Sequence, residues 1–361
     1  MIDFDAAPLR AIGLTPAMAQ AAFAHPSTPD GASPRLVRVT EVHRETLVVH
    51  DGERETRVRP LPRLTRELAE ADTALAVGDW VLLAADAHGE PWVHERIAPL
   101  THIARRDADG RRHPVVSNVD TALLVMGLDD DYNPRRLERF LTLVQTQGVT
   151  PVVVLTKADA VSPERVADAL AELRGRLPRG LEMLAIDGRD PASAHHLAPW
   201  LGGGQTLVLL GSSGAGKSTL TNALLGAAVQ DTGAVREHDS RGKHTTTSRS
   251  LHRLPGGACV IDTPGVRTLR PDVDEASLDA VFGDIAALAP RCRFRDCQHG
   301  AEPGCAVREG VSPDRLRNYQ KLQRELRRDT LTALERQAQL SRWKTLTRAG
   351  RERSKSKRGE R

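Results

Sequence analysis

Aromatic side chains are scarce, with 5 Phe, 4 Trp and 2 Tyr in 361 residues, so the core must be built mainly from Leu, Val and Ala. No apolar run approaches the length of a membrane span, which argues against a helical membrane protein. The first residues, Met1-Ile2-Asp3-Phe4-Asp5, are acidic where a secretory signal would be basic. There are only 4 cysteines, and three of them cluster with a histidine. That grouping suits a metal site in a reducing compartment better than a disulfide framework, and a cytoplasmic protein is the expectation.

Charge of one sign is also lacking overall: the net charge is +4, with 27% charged residues. Its placement is uneven. Residues 341–361 hold 9 Lys or Arg against 2 Glu. Such a tail favours a polyanion such as RNA, although a solubilising end has the same composition.

What the chain does contain falls into blocks. Residues 1–34 read as a partly disordered lead-in with one short helical stretch. Over 35–100, short alternating runs (Leu36–Val39, Thr46–Val49, Glu55–Val58, Trp80–Leu83) are separated by the turn signals Asp51-Gly52 and His88-Gly89. About five strands in that length suggest an OB-like β-barrel, a frequent nucleic-acid binder, and the pattern is equally compatible with a packing role. Residues 101–285 have α/β texture, with strands expected at Thr121–Met126, Val152–Leu155, Thr206–Leu210 and Ala258–Ile261. Asn133-Pro134 and Pro163 start the intervening helices, so a parallel sheet covered on both faces follows. Residues 286–345 read as a zinc-binding helical module and 346–361 as a basic tail.

Between the third of these strands and a helix starting near Lys217 lies Gly211-Ser212-Ser213-Gly214-Ala215-Gly216-Lys217-Ser218-Thr219, which fits G-x-x-x-x-G-K-S. Its glycines let backbone N–H groups curl toward phosphates at the helix N-terminus. Lys217 would reach the β and γ phosphates, and Ser218 would ligate magnesium. Upstream, Thr156-Lys157-Ala158-Asp159 stands at the end of a strand. The Asp159 carboxylate can accept both the N1 and the exocyclic amine protons of guanine, a pattern that adenine does not present, and Lys157 would lie along the ring. Downstream, Asp262-Thr263-Pro264-Gly265 matches D-x-x-G, with Asp262 directed at magnesium through water and the Gly265 N–H at the γ-phosphate. Arg241–Thr247 is a glycine-punctuated stretch in which one threonine, Thr246 the choice, should close on the metal and give a switch. Val266 occupies the place of a water-orienting Gln, and His244 is the candidate replacement.

The order of these motifs is reversed. The base-reading motif of ordinary GTPases follows the phosphate loop, whereas here it precedes it, which implies a circularly permuted core. An ATP-using kinase is argued against by Asp159, while a GTP-gated RNA-binding module with turnover as a timer stays open. Further on, Cys292, Cys297, His299 and Cys305 are spaced C-x4-C-x-H-x5-C, fitting a closed, structural, tetrahedral zinc site. Cys259, in a core strand, reads as an inert buried thiol. Ser312-Pro313-Asp314 opens a charged helix through Leu322, Leu326, Leu331 and Leu334.

Together these motifs resemble the ribosome small-subunit-dependent GTPase A family. The resemblance runs from about Arg35 to Tyr319 and includes Ser117-Asn118-Val119-Asp120, His244-Thr245-Thr246-Thr247 and Glu302-Pro303-Gly304-Cys305-Ala306-Val307. It implies GTP hydrolysis to GDP with magnesium, one structural zinc, and the small ribosomal subunit and its rRNA as partners. A monomer with no membrane association is expected. Two departures stand out. Thr156 replaces the commoner Asn, leaving a hydroxyl in place of the amide that braces the phosphate loop. Ala185-Ile186-Asp187-Gly188 replaces the Ser-Ala motif that backs the guanine.

Overall fold

Strand Trp80–Ala85 is buried at every position but the last, so alternation fails there and both faces must be covered. A computed structural model of the chain shows how. It describes residues 4–24, 34–107, 111–145, 147–226, 249–263, 270–272 and 274–329. Five strands, β1 (Arg35–Val42), β2 (Leu47–His50), β3 (Glu55–Pro60), β4 (Trp80–Ala85) and β5 (Pro91–Arg96), form a barrel. β1–β2–β3 is an antiparallel meander, β3 pairs β5 in parallel, and β4 closes the ring between β5 and β1. Val37, Val39, Val49, Val81, Leu83 and Val93 fill its inside.

The opposite face of β4 carries Trp80 and Leu82, which pack with Ile97 against Leu9, Ile12, Met18 and Ala22. Residues 4–24 therefore carry more helix than expected. Two helices, Ala6–Arg10 and Pro16–Ala24, form where one short helical stretch is expected, because the outer face of the barrel supplies the apolar surface that neither helix has alone.

The second half of the fold contains β6 (His102–Arg106), β7 (Arg112–Ser117), β8 (Thr121–Gly127), β9 (Thr150–Thr156), β10 (Glu182–Ala185), β11 (Thr206–Gly211), β12 (Ser250–Arg253), β13 (Cys259–Asp262) and β14 (Arg270–Pro271). Five of these lie parallel in the order β10-β9-β8-β11-β13. Every position of β8 is buried. Ala122, Leu124 and Met126 face helix Pro134–Val144 through Leu137, Phe140 and Leu141, while Leu123 and Val125 share the other face with Leu220 and Leu224 of helix Lys217–Leu225. Asn133 caps its helix by accepting the Arg136 N–H at 3.2 Å, with Pro134 at the first position. On the edge, β12 runs antiparallel to β13 and meets β1 of the barrel at Ser250–Glu41. The hairpin β6–β7 pairs with β14 in a separate sheet.

Two buried polar clusters fasten the outer parts. Arg38, fully buried, donates to Gly78 O at 3.4 Å, Asn118 O at 2.9 Å, Thr206 Oγ1 at 3.0 Å and the carbonyl of Ile12. It thereby joins the N-terminal helices, the barrel and the parallel sheet. Glu138, also fully buried, accepts from Arg176 Nε at 2.5 Å, Arg315 Nη1 at 2.5 Å and Asn318 Nδ2 at 2.5 Å. Arg315 and Asn318 belong to helix Pro313–Asp329, whose Leu316, Leu322 and Leu326 enter the same core as Phe140 and Leu141. Leu331, Leu334 and the basic tail lie outside the described residues.

Removing one member of a buried charge cluster leaves its partners uncompensated. Glu138→Ala is expected to cost about 3–5 kcal/mol of unfolding free energy, measured by urea denaturation, against well under half of that for an exposed Glu such as Glu53.

Candidate nucleotide and metal sites

The phosphate loop lies between β11 and helix Lys217–Leu225. Gly211 has to be glycine, since a Cβ there would come within 2.4 Å of the Val125 carbonyl oxygen on β8. Gly214 and Gly216 turn the chain with φ of +84° and +88°, a region that L side chains rarely enter. Ser213 and Gly214 face solvent, whereas Ser212 and Ala215 are buried. Lys217 folds back so that its ammonium donates to Gly211 O at 3.1 Å and Ser212 O at 2.7 Å. Burial lowers its pKa, and the charges of Asp262 and Asp131 oppose that shift.

β9 delivers the guanine motif next to this loop. Thr156 Oγ1 donates to Ala215 O at 2.7 Å, so the hydroxyl braces the phosphate loop in place of an amide. Lys157 has φ +59° and its ammonium meets Asp129 Oδ2 at 2.5 Å. Ala158 and Asp159 open a short 3-10 turn, and Asp159 is exposed. The segment Ala185–Gly188 runs alongside. Ile186 O accepts the Ala158 N–H at 3.3 Å, and the Ile186 N–H donates to Leu155 O at 2.8 Å. Backbone thus stands beside the guanine motif even though the Ser-Ala pair is lacking.

At the end of β13, Asp262 lies opposite the start of the same helix. Ser218 Oγ donates to Asp262 Oδ2 at 3.2 Å, and Thr263 Oγ1 donates to Leu209 O at 2.6 Å. Among the described residues Asp262 Oδ1 is buried with no hydrogen-bond partner. Burial raises the Asp262 pKa, against the pull of Lys217. An orphaned carboxylate oxygen beside a hydroxyl is what a hard, oxygen-seeking cation would satisfy, so these residues fit magnesium. His244, Thr246 and Gly265 lie outside the described residues.

Two residues in this site escape a motif-based reading. Asp129 pairs with Lys157, and the carboxylate of Asp131 accepts from Ser212 Oγ at 2.7 and 2.6 Å while pairing with Arg136. The signal available was the acidic run Asp129-Asp130-Asp131 just past the carboxyl end of β8, the end of a parallel sheet at which ligands bind.

Comparison with known proteins agrees with this geometry. The RsgA GTPase family model matches residues 94–271. The "Small ribosomal subunit biogenesis GTPase RsgA" of Xanthomonas oryzae pv. oryzae (strain MAFF 311018) is 48% identical over 301 residues, 80% of each chain. The chain belongs to the RsgA GTPase family. The protein of the same name from Xanthomonas axonopodis pv. citri (strain 306) is likewise 48% identical over 80% of both chains. Among solved structures, YjeQ from Thermotoga maritima superposes with a TM-score of 0.55 at 22% identity, covering 81% of this chain and 98% of that one. YloQ, described as a circularly permuted GTPase, gives 0.54 at 22% identity over 85% and 100%. At such identity the likeness is one of fold, and it covers most of this RsgA-family chain.

That C-terminal region gathers Cys292, Cys297, His299 and Cys305 with their ligand atoms all within 4.8 Å of one another. Cys292 Sγ lies 3.9 Å from Cys305 Sγ, and His299 Nδ1 lies 3.6 and 3.5 Å from the two sulfurs. A tetrahedral ion with bonds of about 2.3 Å to sulfur and 2.0–2.1 Å to nitrogen spaces its ligands in this way. The donor set therefore fits zinc. Elemental analysis of the purified chain is expected to find one zinc per molecule, and Cys297→Ser should lose most of it; a chain free of zinc after expression in zinc-replete medium would contradict the assignment.

Proposed function

We propose that this chain hydrolyses GTP to GDP and phosphate at the site between β8, β9, β11 and β13, and that it does so on the small ribosomal subunit, assisting a late step of its maturation. The observation that carries the reading is the Thr156–Ala215 hydrogen bond at 2.7 Å, which joins the guanine motif to a phosphate loop lying after it in the chain. Support for the partner comes from the printed name of the relatives at 48% identity. The five-strand barrel and the basic 341–361 segment, with 9 Lys or Arg against 2 Glu, suit rRNA.

Phosphoryl transfer of this kind depends on positioning and on neutralising charge, with no covalent intermediate. The amides of Ser213 to Ser218 and the Lys217 ammonium cradle the phosphates, and Asp159 reads the base while Lys157 lies along it. Thr156, Ala158 and Thr219 complete the walls of the site. Ser218 and Asp262 would hold magnesium, which when bound neutralises charge on the β and γ phosphates. In the switch stretches, Thr246 would close on the magnesium, the Gly265 N–H would sense the γ-phosphate, and His244 would orient the attacking water, a task that the apolar Val266 cannot perform. Cys292, Cys297, His299 and Cys305 would fill all four positions of a bound zinc with protein ligands, which would make the site a structural staple.

Among the described residues no helix is long and apolar enough to cross a membrane. Separately, we propose that the protein acts as a monomer in the cytoplasm, the compartment suggested by cysteines gathered as metal ligands. GTP turnover measured with and without purified small subunits, beside an ATP control, tests the proposal. Subunits are expected to raise GTP turnover on the order of tenfold or more and to leave ATP untouched. Turnover that is indifferent to subunits would remove the partner, and equal use of ATP would remove the base assignment.

A further inference from the structure

β8 lies between the strand that carries the guanine motif and the strand that carries the phosphate loop, and its trailing segment 128–133 touches both. We propose that Asp131 is a positioning residue of the phosphate loop, and that segment 128–133 clamps the phosphate and guanine halves of the site in register through Asp131–Ser212 and Asp129–Lys157. The inference rests on the reading that this site holds a guanine nucleotide.

The segment is built to stay still. The Leu128 N–H donates to Thr156 O at 3.0 Å, the Tyr132 N–H closes a turn onto Asp129 O at 2.9 Å, and Asn133 caps the helix that follows. The Tyr132 hydroxyl reaches Glu172 Oε2 at 2.8 Å, with the Arg165 guanidinium 4.5 Å from the ring centroid. From this base Asp131 reaches Ser212, whose own carbonyl oxygen accepts the Lys217 ammonium at 2.7 Å. Asp131 therefore acts on Lys217 through Ser212. A carboxylate near a phosphate site is unfavourable unless it is neutralised, and Arg136, in the first turn of the helix that follows, pairs with it. Beyond its direct attraction for the Lys217 ammonium, it accepts a charge-assisted hydrogen bond that fixes the second residue of the loop. On the other side Asp129 holds the Lys157 ammonium at 2.5 Å, fixing the side chain that would lie on the base. Because both contacts issue from three adjacent residues, moving one half of the site moves the other.

The test is equilibrium binding of fluorescent GDP and of pyrophosphate to the full chain, its Ser212→Ala, Asp131→Ala, Asp131→Asn and Asp129→Ala variants, and the double variant S212A/D131A. Loss of either partner of the Ser212 bond is expected to weaken GDP and pyrophosphate alike by about tenfold, with the double variant no weaker than the worse single one. Asp131→Asn keeps an acceptor for the Ser212 hydroxyl and should recover most of the loss. Asp129→Ala should weaken GDP and leave pyrophosphate close to the parent. In subunit-stimulated turnover, KM should rise with the dissociation constant for the Asp131→Ala chain while kcat falls less. Additive losses in the double variant, or an Asp131→Ala chain that binds GDP as the parent does, would overturn the clamp while leaving the nucleotide site intact. A parent chain that binds no GDP would overturn both readings.

Discussion

The parallel pairing of β8 with both β9 and β11 is the constraint on which the site depends. It aligns Val125 with Gly211 and Gly127 with Thr156, so the end of each motif-bearing strand is set against the same central strand. The approach is close enough that the phosphate loop must begin with glycine, since the Val125 carbonyl fills the space a Cβ would take. Chain order is then immaterial to the chemistry. A sheet fixes which strand ends are neighbours, and the connections can be cut and rejoined elsewhere provided these neighbours persist. Permutation changes instead what the segments near the phosphates lead into.

That consequence is visible at the edges of the core. β12, which begins just after the His244–Thr247 stretch, meets β1 of the barrel at a single pair, Ser250–Glu41. β14, which follows the stretch containing Gly265, pairs with the hairpin strand β6, and Asp272 beside it is held by Arg106 at 2.7 Å and Arg112 at 2.5 Å. The stretches expected to respond to the γ-phosphate therefore run into strands that pair with elements outside the five-stranded parallel core, before the chain reaches the C-terminal helices. At the far side the fastening is stronger. Glu138 lies between Arg176 and Arg315 with no exposure, and Arg139 pairs with Glu325 at 2.5 Å. Buried ion clusters contribute little net stability over apolar packing but are costly to break, so they fix one arrangement of the helices against the core.

Much of this was legible in the chain because it is carried by short-range chemistry. The curl of Gly211 to Gly216, the Asn133-Pro134 helix start and the metal-ligand spacing from Cys292 to Cys305 each need particular residues at particular offsets. The barrel strands were legible as short apolar and β-branched runs between turn signals, although Trp80–Ala85 is buried on both faces and does not alternate. What was not legible depends on pairing at long range. The two N-terminal helices have weak apolar faces, and their order comes from Trp80 and Leu82, more than fifty residues away in sequence. Arg38 and Glu138 read as ordinary surface charges until tertiary structure encloses them. Asp129 and Asp131 sit in an acidic run that resembles a solvated turn, and only the neighbouring strands bring Lys157 and Ser212 to them. The Ser-Ala motif is replaced by Ala185-Ile186-Asp187-Gly188, and only the fold shows that the Ile186 main chain bonds to Ala158 and Leu155 beside the guanine motif.

The central claim is that a base-reading motif on β9 and a phosphate loop on β11 hold one nucleotide between them. Calorimetric titration of GDP and of xanthosine diphosphate into the parent chain and into its Asp159→Asn variant tests it most directly. Xanthine replaces the exocyclic amine of guanine with a carbonyl, which the Asn amide can meet with an N–H and the Asp carboxylate cannot. The parent should bind GDP and reject the xanthine nucleotide, and the variant should reverse that preference with its phosphate contacts unchanged. A variant that keeps the parent's preference for GDP would show that Asp159 does not face the base, and the two motifs would not share a ligand.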